Sequence, residues 1–480
     1  MLFRMIYDEK LAQAAYLIGC QRSGEAIIID PERDIDRYVR LAEKEKVRIV
    51  AVAETHIHAD YLSGARELAQ RLDAMVYVSD EGDANWKYEW VRKRDGGIGG
   101  EYNHRLLKDG DTFRVGNIEF RAVHTPGHTP EHICFLVTDR GGGASEPMGI
   151  VTGDFLFVGD LGRPDLLETA AGVAGAKEPG ARALFASLRR LEGMPEYMQV
   201  WPAHGAGSAC GKALGAVPQS TIGYEKRFNP AIAAARDEAG FVRFILSDQP
   251  EPPLYFARMK HLNKVGPAIL GGLPKPKALT ADEAREINAR ASAVIDTRAW
   301  NLFRSGHLDG SLSIPLDSGF PTVAGSYIEP GTPIYLVIEE SKIDEAVRDL
   351  VRVGEDTILG YITPSILEES FARGAKKATL AETDASAVKA ARGTDTAYFL
   401  DVRRADEFRE GHIPGARNMV HVRLPERLTE LPRAKKIYVN CRSGMRSARA
   451  ASYLKRAGFD VVNIAGGFQA YEQTGAEVER

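Results

Sequence analysis

The sequence predicts a multidomain α/β protein. Three observations carry this. In the first half, short apolar runs end in histidine or aspartate, as strands do when a sheet carries its ligands at one edge. In the last 200 residues or so, a unit of roughly 100 residues with β-turn-α character occurs twice. Between them, 247–280 is punctuated by proline and glycine, as a connector is.

The chain of 480 residues is 44% hydrophobic and 27% charged, enough for several cores. Its net charge of −4 provides no global field for nucleic acid or anionic lipid. No apolar run is long enough to span a bilayer, and the first residues lack a basic region followed by an apolar segment and a cleavage site. A cytoplasmic protein with no membrane or nucleic-acid partner is expected. Sheet-rich domains joined by short connectors also favour a homo-oligomer. The four cysteines, Cys20, Cys134, Cys210 and Cys441, form no C-x-x-C pair, which argues against a disulfide framework or a cysteine zinc site.

Taken in order, Phe3, Met5 and Tyr7 alternate as in a strand. "VRIVAVAETH" is a buried strand running into a histidine motif, and "GIVTGDFLF" and "MQVWPAHG" end in ligand-type residues. The duplication follows. "VIDTRAWNLFRSGHLDG" from Val294 matches "FLDVRRADEFREGHIPG" from Phe399 at the Asp, Arg, Phe and Gly-His positions. The expected boundaries are 1–245 for the metal-binding domain, 246–277 for a linker, 278–375 for the first copy and 386–480 for the second, with a polar join between the copies.

In the second copy, a strand over Ile437–Val439 delivers Cys441 into a tight loop, and a helix is expected from about Ser447. A thiol at a helix N-terminus sits among backbone N–H groups, and Arg442 and Arg446 add positive charge. The C-x4-R loop is one residue shorter than the phosphate-encircling loop of cysteine phosphatases and better suits a cysteine carrying one sulfur atom. With "DVR…F…GHIPGA" upstream, this domain resembles the rhodanese sulfurtransferases. The resemblance implies that Cys441 accepts a sulfane sulfur and passes it to a nucleophile. In the first copy Ile338 aligns with Cys441, and Glu339 and Glu340 replace the following Arg and Ser. That copy is expected to be an inactive rhodanese-like domain.

"ETHIHADYLSG" (54–64), "VHTPGHTPEH", "TGDFLF" and "WPAHG" occur in the order used by the metallo-β-lactamase superfamily. This resemblance implies an αββα sandwich with metal at one edge. The superfamily's first motif ends in Asp-His, where both residues serve a second metal. Here Asp60 is followed by Tyr61, and a phenol with a pKa near ~10 rarely ligates zinc at neutral pH. His204 precedes the small-residue loop Gly205-Ala206-Gly207, which can leave it without a second-metal role. His56, His128 and Asp154 remain: two imidazoles and a carboxylate, the donor set of non-haem iron(II) oxygenases. The persulfide dioxygenase branch uses this arrangement. "GDLGRPDLL" (159–167), "GSACGKALG" (207–215) and "STIGYEKRFNP" (220–230) are similar to its rhodanese fusions.

The fusion implies one Fe(II) in the first domain, dioxygen as co-substrate and a thiol persulfide (of glutathione, coenzyme A or a similar carrier) as substrate. Sulfite and thiosulfate are the species shared with the rhodanese end, and the role is sulfide or persulfide detoxification. The alternative is a zinc-dependent thioester hydrolase of the glyoxalase II type fused to a sulfurtransferase. His58 and Asp60 are expected to orient ligands by hydrogen bonds rather than to bind metal. His124 and His132 are expected to be structural or to support the ligands. Arg163 is read either as a binder of substrate carboxylate or as half of an ion pair with a nearby Asp. Cys210 is read as a small buried residue or as a thiol near the metal; Cys20 and Cys134 are read as core.

Overall fold

The computed structural model describes residues 1–92, 101–212 and 214–480; Ala213 of the 207–215 motif lies outside them. The chain forms two compact units, Met1–Leu273 and Pro274–Arg480. No described helix is long and apolar enough to cross a membrane.

In the first unit β1 (Leu2–Asp8), β2 (Gln13–Cys20), β3 (Glu25–Ile29), β4 (Arg48–Ala53), β5 (Met75–Ser79) and β6 (His104–Leu107) form one sheet in chain order. It is antiparallel through β3 and parallel from β3 to β6. The second sheet contains β7 (Thr112–Val115), β8 (Ile118–His124), β9 (Ile133–Asp139), β10 (Gly149–Gly153), β11 (Gln199–Pro202) and β12 (Ser220–Thr221), ordered β12-β11-β10-β9-β8-β7.

Strand periodicity explains the layers. All of β2 is buried. Its Ala15 and Leu17 pack with Tyr38 and Leu68 of the covering helices, while Ala14, Tyr16 and Ile18 pack with Phe120, Phe135 and Trp201 of the second sheet. The outer face of the second sheet, through Cys134, Ile150 and Val200, meets Leu184, Phe241 and Ile245. The result is the expected αββα sandwich.

The expected linker is not a free connector. Its helix Phe256–Val265 lies inside the first unit, which runs to Leu273. Phe256, Met259, Lys260 and Asn263 form its buried face, and Asn263 donates to the carbonyls of His58 (2.9 Å) and Tyr61 (2.7 Å). This is the packing against neighbours expected of a connector punctuated by proline and glycine; the sequence pattern did not identify the short helix within it.

The second unit holds two sheets of one topology. The first copy contains β13 (Lys277–Ala278), β14 (Ala293–Asp296), β15 (His307–Leu308), β16 (Leu312–Ser313), β17 (Ile334–Val337) and β18 (Ile358–Ile362), with sheet order β13-β18-β17-β14-β16. β15 pairs separately with β19 (Lys377–Ala378). The second copy contains β20 (Ala381–Thr383), β21 (Ala397–Asp401), β22 (Arg417–Asn418), β23 (Lys436–Asn440) and β24 (Val461–Ile464), in order β20-β24-β23-β21-β22. Numbered within each five-stranded sheet, with β15 left out, the two orders coincide. The residues expected as a polar join carry β19 and β20, so the second sheet begins before residue 386.

The repeated sequence signature is a fold lock. In the first copy Asp296 holds Arg298 by paired bonds, and Arg298 reaches the Gly306 carbonyl at 2.7 Å. In the second, Asp401 holds Arg403, which reaches the Gly411 carbonyl at 2.6 Å. Phe303 stacks on His307 at 3.9 Å, and Phe408 on His412 at 3.6 Å.

The helix Met445–Arg456, which follows the thiol loop, is braced by the first copy. Asp317 pairs with Arg449, and Ser452 accepts from the Ser313 N–H at 3.0 Å. Tyr327 packs on Tyr453 at 4.6 Å. Arg456 donates to the carbonyls of Ala289, Gly310 (2.6 Å) and Ser292 (3.0 Å). Phe303 joins the core of the second copy with Val439 and Cys441. Arg456→Ala is therefore expected to lower stability by about 1–3 kcal/mol, because several backbone acceptors lose a charged donor. Chemical denaturation of the full chain measures this, and an unchanged midpoint would mean the brace carries no energy.

Candidate metal centre and thiol loop

The metal-type side chains gather at strand ends, where the backbone leaves the sheet. Asp30 follows β3 with φ of 54°, a left-handed turn that Asp tolerates. Glu54, Thr55 and His56 follow β4, Asp154 follows β10, and His204 follows β11 by one residue. Two glycines make room. A Cβ at Gly153, whose φ is 50°, would lie 2.6 Å from both His132 Nε2 and Thr55 Oγ1. One at Gly162 would lie 1.8 Å from the Asp154 carbonyl oxygen.

His56, His128 and Asp154 each offer one donor atom within 4.8 Å of the others, and all three are buried. Asp154 Oδ2 lies 3.5 Å from His128 Nε2 and 4.0 Å from His56 Nε2. Thr55 Oγ1 donates to Asp30 Oδ2 (2.8 Å), so it accepts from His56 Nδ1 (3.0 Å). This keeps the proton on Nδ1 and the lone pair on Nε2. His132 Nε2 accepts from the Asp154 backbone N–H at 3.0 Å, and its Nδ1 meets Thr125 Oγ1 at 2.8 Å. Burial holds His56 and His128 far below the usual imidazole range, hence neutral. Burial also pushes the Asp154 carboxyl up to about 6, with His204 opposing and Asp60 reinforcing the rise.

These residues fit a metal ion. His56 Nε2 and both Asp154 oxygens are buried and have no hydrogen-bond partner among the described residues. Leaving a carboxylate so unpartnered costs several kcal/mol unless a cation compensates it. Two imidazoles and a carboxylate suit iron(II) and also a catalytic zinc.

The other expected residues divide by location. His58 joins Asp30 (3.1 Å) and Glu54 (3.4 Å). Burial opposes its charge, but the Asp30 and Glu54 carboxylates prevail and raise it to about 9. Tyr61 is fully buried; its hydroxyl donates to the Asp30 carbonyl and accepts from Gln13, both at 3.2 Å. Asp60, His204 and Cys210 form a second buried group. His204 Nδ1 donates to the Ala12 carbonyl at 3.0 Å. Its Nε2 has no hydrogen-bond partner among the described residues and lies 3.3 Å from Asp60 Oδ2 and 3.5 Å from Asp154 Oδ1. Burial, with Asp60 and Asp154 nearby, raises the Cys210 thiol well above its usual range.

Arg163 is fully buried, paired with Asp165 at 2.6 Å and donating to the carbonyls of Ala209 and Pro250, both at 2.7 Å. Of its two readings, the structure displays the ion pair. Glu225 of the 220–230 motif accepts from the Gly159 N–H (3.0 Å) and from Asn229 (2.9 Å), bracing the loop that carries Gly162. The sequence reading missed Asp30, Glu131, Lys260 and Asn263, and it gave Thr55 no role beyond its place in the histidine motif. Asp30 was detectable, since "AIIID" is an apolar run ending in a carboxylate. Glu131 Oε1 accepts from the Ile57 N–H at 2.8 Å.

In the second unit the Cys441 Sγ accepts from the Gly444 N–H at 3.2 Å, and Gly444 takes φ of 93°. The helix begins at Met445, two residues before the expected start. Arg446 forms a bidentate pair with Glu407 (2.6 and 2.7 Å), whereas Arg442 is exposed. Gly467 closes under the loop: a Cβ there would lie 2.3 Å from the Cys441 carbonyl oxygen. In the first copy the Ile338 side chain is buried, and Glu339 and Glu340 are exposed.

Comparison with known proteins agrees with both halves. Residues 9–204 match the metallo-beta-lactamase superfamily, and 384–474 match the rhodanese-like domain. A crystal structure of a metallo-beta-lactamase from Staphylococcus aureus is 41% identical, covers 76% of this chain and 99% of its own, and superposes with a TM-score of 0.67. The chain belongs to the metallo-beta-lactamase superfamily and carries a C-terminal rhodanese-like domain. A beta-lactamase hydrolase-like protein of Xylella fastidiosa is 28% identical over 56% of this chain, and the match spans 61% of that relative's length. The mitochondrial persulfide dioxygenase ETHE1 of Bos taurus is 24% identical over 50% of this chain and 78% of its own.

An ion held by Asp154 needs that carboxylate ionised. Divalent-metal affinity is expected to be flat at neutral pH and to fall about tenfold per pH unit below the Asp154 value, as one proton competes with the ion. Anaerobic equilibrium dialysis with Fe(II) measures it. An affinity that stays constant through pH 6 would remove Asp154 from the ligand set.

Proposed function

We propose that this chain oxidises a low-molecular-weight thiol persulfide with dioxygen at one ferrous ion in the first unit, and moves sulfane sulfur through Cys441 in the second. Glutathione, coenzyme A or a similar thiol carries the persulfide. The observation behind this reading is the buried His56–His128–Asp154 set with unpartnered donor atoms, in a chain that also has a rhodanese-like thiol loop. The persulfide dioxygenase relative supports it.

A bound ferrous ion supplies open coordination positions and the electron chemistry that dioxygen requires. The protein's part is positional. Asp30 and Thr55 hold the proton on His56 Nδ1, and His132 fixes the backbone that carries Asp154. Burial of all three donors keeps bulk water out. One persulfide, one dioxygen and one water give sulfite, thiol and protons.

In the second unit the Cys441 thiolate attacks the sulfane sulfur of a persulfide. The substrate S–S bond breaks, and the leaving thiolate takes up a proton. Sulfite then attacks the sulfur held on Cys441, which forms thiosulfate and restores the thiolate. The Gly444 N–H faces the sulfur throughout.

One observation favours a second reading, zinc-dependent thioester hydrolysis. Asp60, His204 and Cys210 gather beside Asp154 Oδ1 and could hold another ion. That enzyme would contain zinc and need no dioxygen.

Oxygen uptake by iron-loaded protein given glutathione persulfide, with sulfite and thiosulfate assayed, decides between them. Rapid uptake supports the dioxygenase; none with glutathione, coenzyme A or other small-thiol persulfides returns the hydrolase. Cys441→Ser is expected to abolish thiosulfate formation and leave oxygen uptake within about twofold, since it removes the nucleophile alone. Asp154→Ala is expected to lose iron and oxygen uptake but keep sulfur transfer from thiosulfate to cyanide. An iron-replete, active Asp154 variant would overturn the ligand assignment.

A further inference from the structure

The thiol loop is rich in arginine and poor in uncompensated charge. Arg446, expected to add positive charge beside Cys441, is the bidentate partner of Glu407 at 2.6 and 2.7 Å. Arg449, three residues on in the same helix, is paired with Asp317. Arg442 is exposed, where water screens its charge. The Glu407–Arg446 pair is sheltered by comparison, its side chains being 18% and 26% exposed. Burial opposes the Glu407 charge, but the hydrogen bonds from Arg446 prevail and hold its carboxyl below the usual range. Both partners are therefore ionised at neutral pH, and their charges cancel.

The pair sits beside the sulfur. The Cys441 Sγ accepts from the Gly444 N–H at 3.2 Å, and Arg446 follows two residues later. Its Cα therefore lies within ~7.6 Å of the Gly444 Cα, inside the ~8 Å screening length of physiological salt. The fold does not require this pair. The Asp–Arg clamp and the Phe–His stack occur in both copies. With Phe303 matched to Phe408, Leu302 stands where Glu407 does; with Ile338 matched to Cys441, Ile343 stands where Arg446 does. The copy without the thiol lacks both members of the pair.

We propose that Glu407 sets the charge preference of the thiol loop: by cancelling Arg446 it weakens the hold on a dianionic sulfane donor such as thiosulfate relative to a monoanionic one. This rests on the reading of Cys441 as the sulfur-accepting nucleophile. Glu407 touches no donor and acts through Arg446. Thiosulfate formed when sulfite takes the sulfur then leaves the loop more readily than it returns as a donor.

The test uses full-length protein and two donors that differ by one charge, thiosulfate (dianion) and methanethiosulfonate (monoanion). In each, the Cys441 thiolate takes the sulfane sulfur, and the S–S bond breaks with its electron pair on sulfite or methanesulfinate. Cyanide then takes the sulfur as thiocyanate and restores the thiolate. An uncancelled charge acts twice as strongly on a dianion, so its factor is the square of that for a monoanion. Glu407→Gln is expected to raise donor kcat/KM about tenfold for thiosulfate and about threefold for methanethiosulfonate, through KM, with kcat within about twofold. The difference is expected to vanish in roughly 1 M salt, where the screening length is ~3 Å. Glu407→Leu, the residue of the first copy, is expected to match Gln, and Glu407→Asp to keep the wild-type ratio. An unchanged ratio, an equal change for both donors, or a ratio insensitive to salt overturns the proposal. Failure of the sulfurtransferase reading appears separately, as wild-type protein that forms no thiocyanate from either donor, and it takes this proposal with it.

Discussion

The histidine face of the first unit depends on the buried carboxylate of Asp30. It accepts from the Thr55 backbone N–H (2.7 Å), from Thr55 Oγ1 (2.8 Å) and from His58 Nε2 (3.1 Å). Its own carbonyl takes Gln13 Nε2 and the Tyr61 hydroxyl. Side chain and backbone of one strand-end residue therefore fix the whole histidine motif, including the tyrosine that distinguishes it. Charge-assisted bonds are short and directional, so the imidazole of His56 is oriented before any ion arrives. The tyrosine is part of this scaffold: its ring packs on His58 at 4.6 Å and its hydroxyl is engaged.

The second unit is organised around a carboxylate as well, used twice. Asp296 and Asp401 each clamp an arginine two residues on, and that arginine closes onto a glycine carbonyl. In the second copy Asn440, the residue before Cys441, also donates to Asp401 at 3.0 Å, linking the clamp to the thiol loop. The first copy has Val337 at that place, and no such link. The clamp is thus common to both copies, while the chemistry sits in a loop added to it.

Much of this was legible because strand-end ligands announce themselves. "TGD" and "WPAHG" are apolar runs stopping at a donor, and their sheet positions follow from period-2 burial. The duplication was legible from matched Asp, Arg, Phe and Gly-His positions, although it could not show that these residues make a clamp. What escaped was supplied by elements distant in sequence. Lys260 and Asn263 come from a ten-residue helix set among prolines and glycines, where local pattern says connector and only tertiary packing says otherwise. The gathering of Cys210 with Asp60 and His204 depends on a loop path that no spacing encodes. Arg163 had two chemically equal readings, and only the placement of Asp165 and two carbonyls separates them.

The brace on the helix Met445–Arg456 bears on why a copy without a thiol persists. Its Phe303 fills part of its sibling's apolar interior, and Tyr327 covers Tyr453. Deleting that copy would expose this flank to water and invite self-association. Shielding a neighbour's apolar flank is work that the clamp and its packing residues do by themselves, whatever residues occupy 338–340.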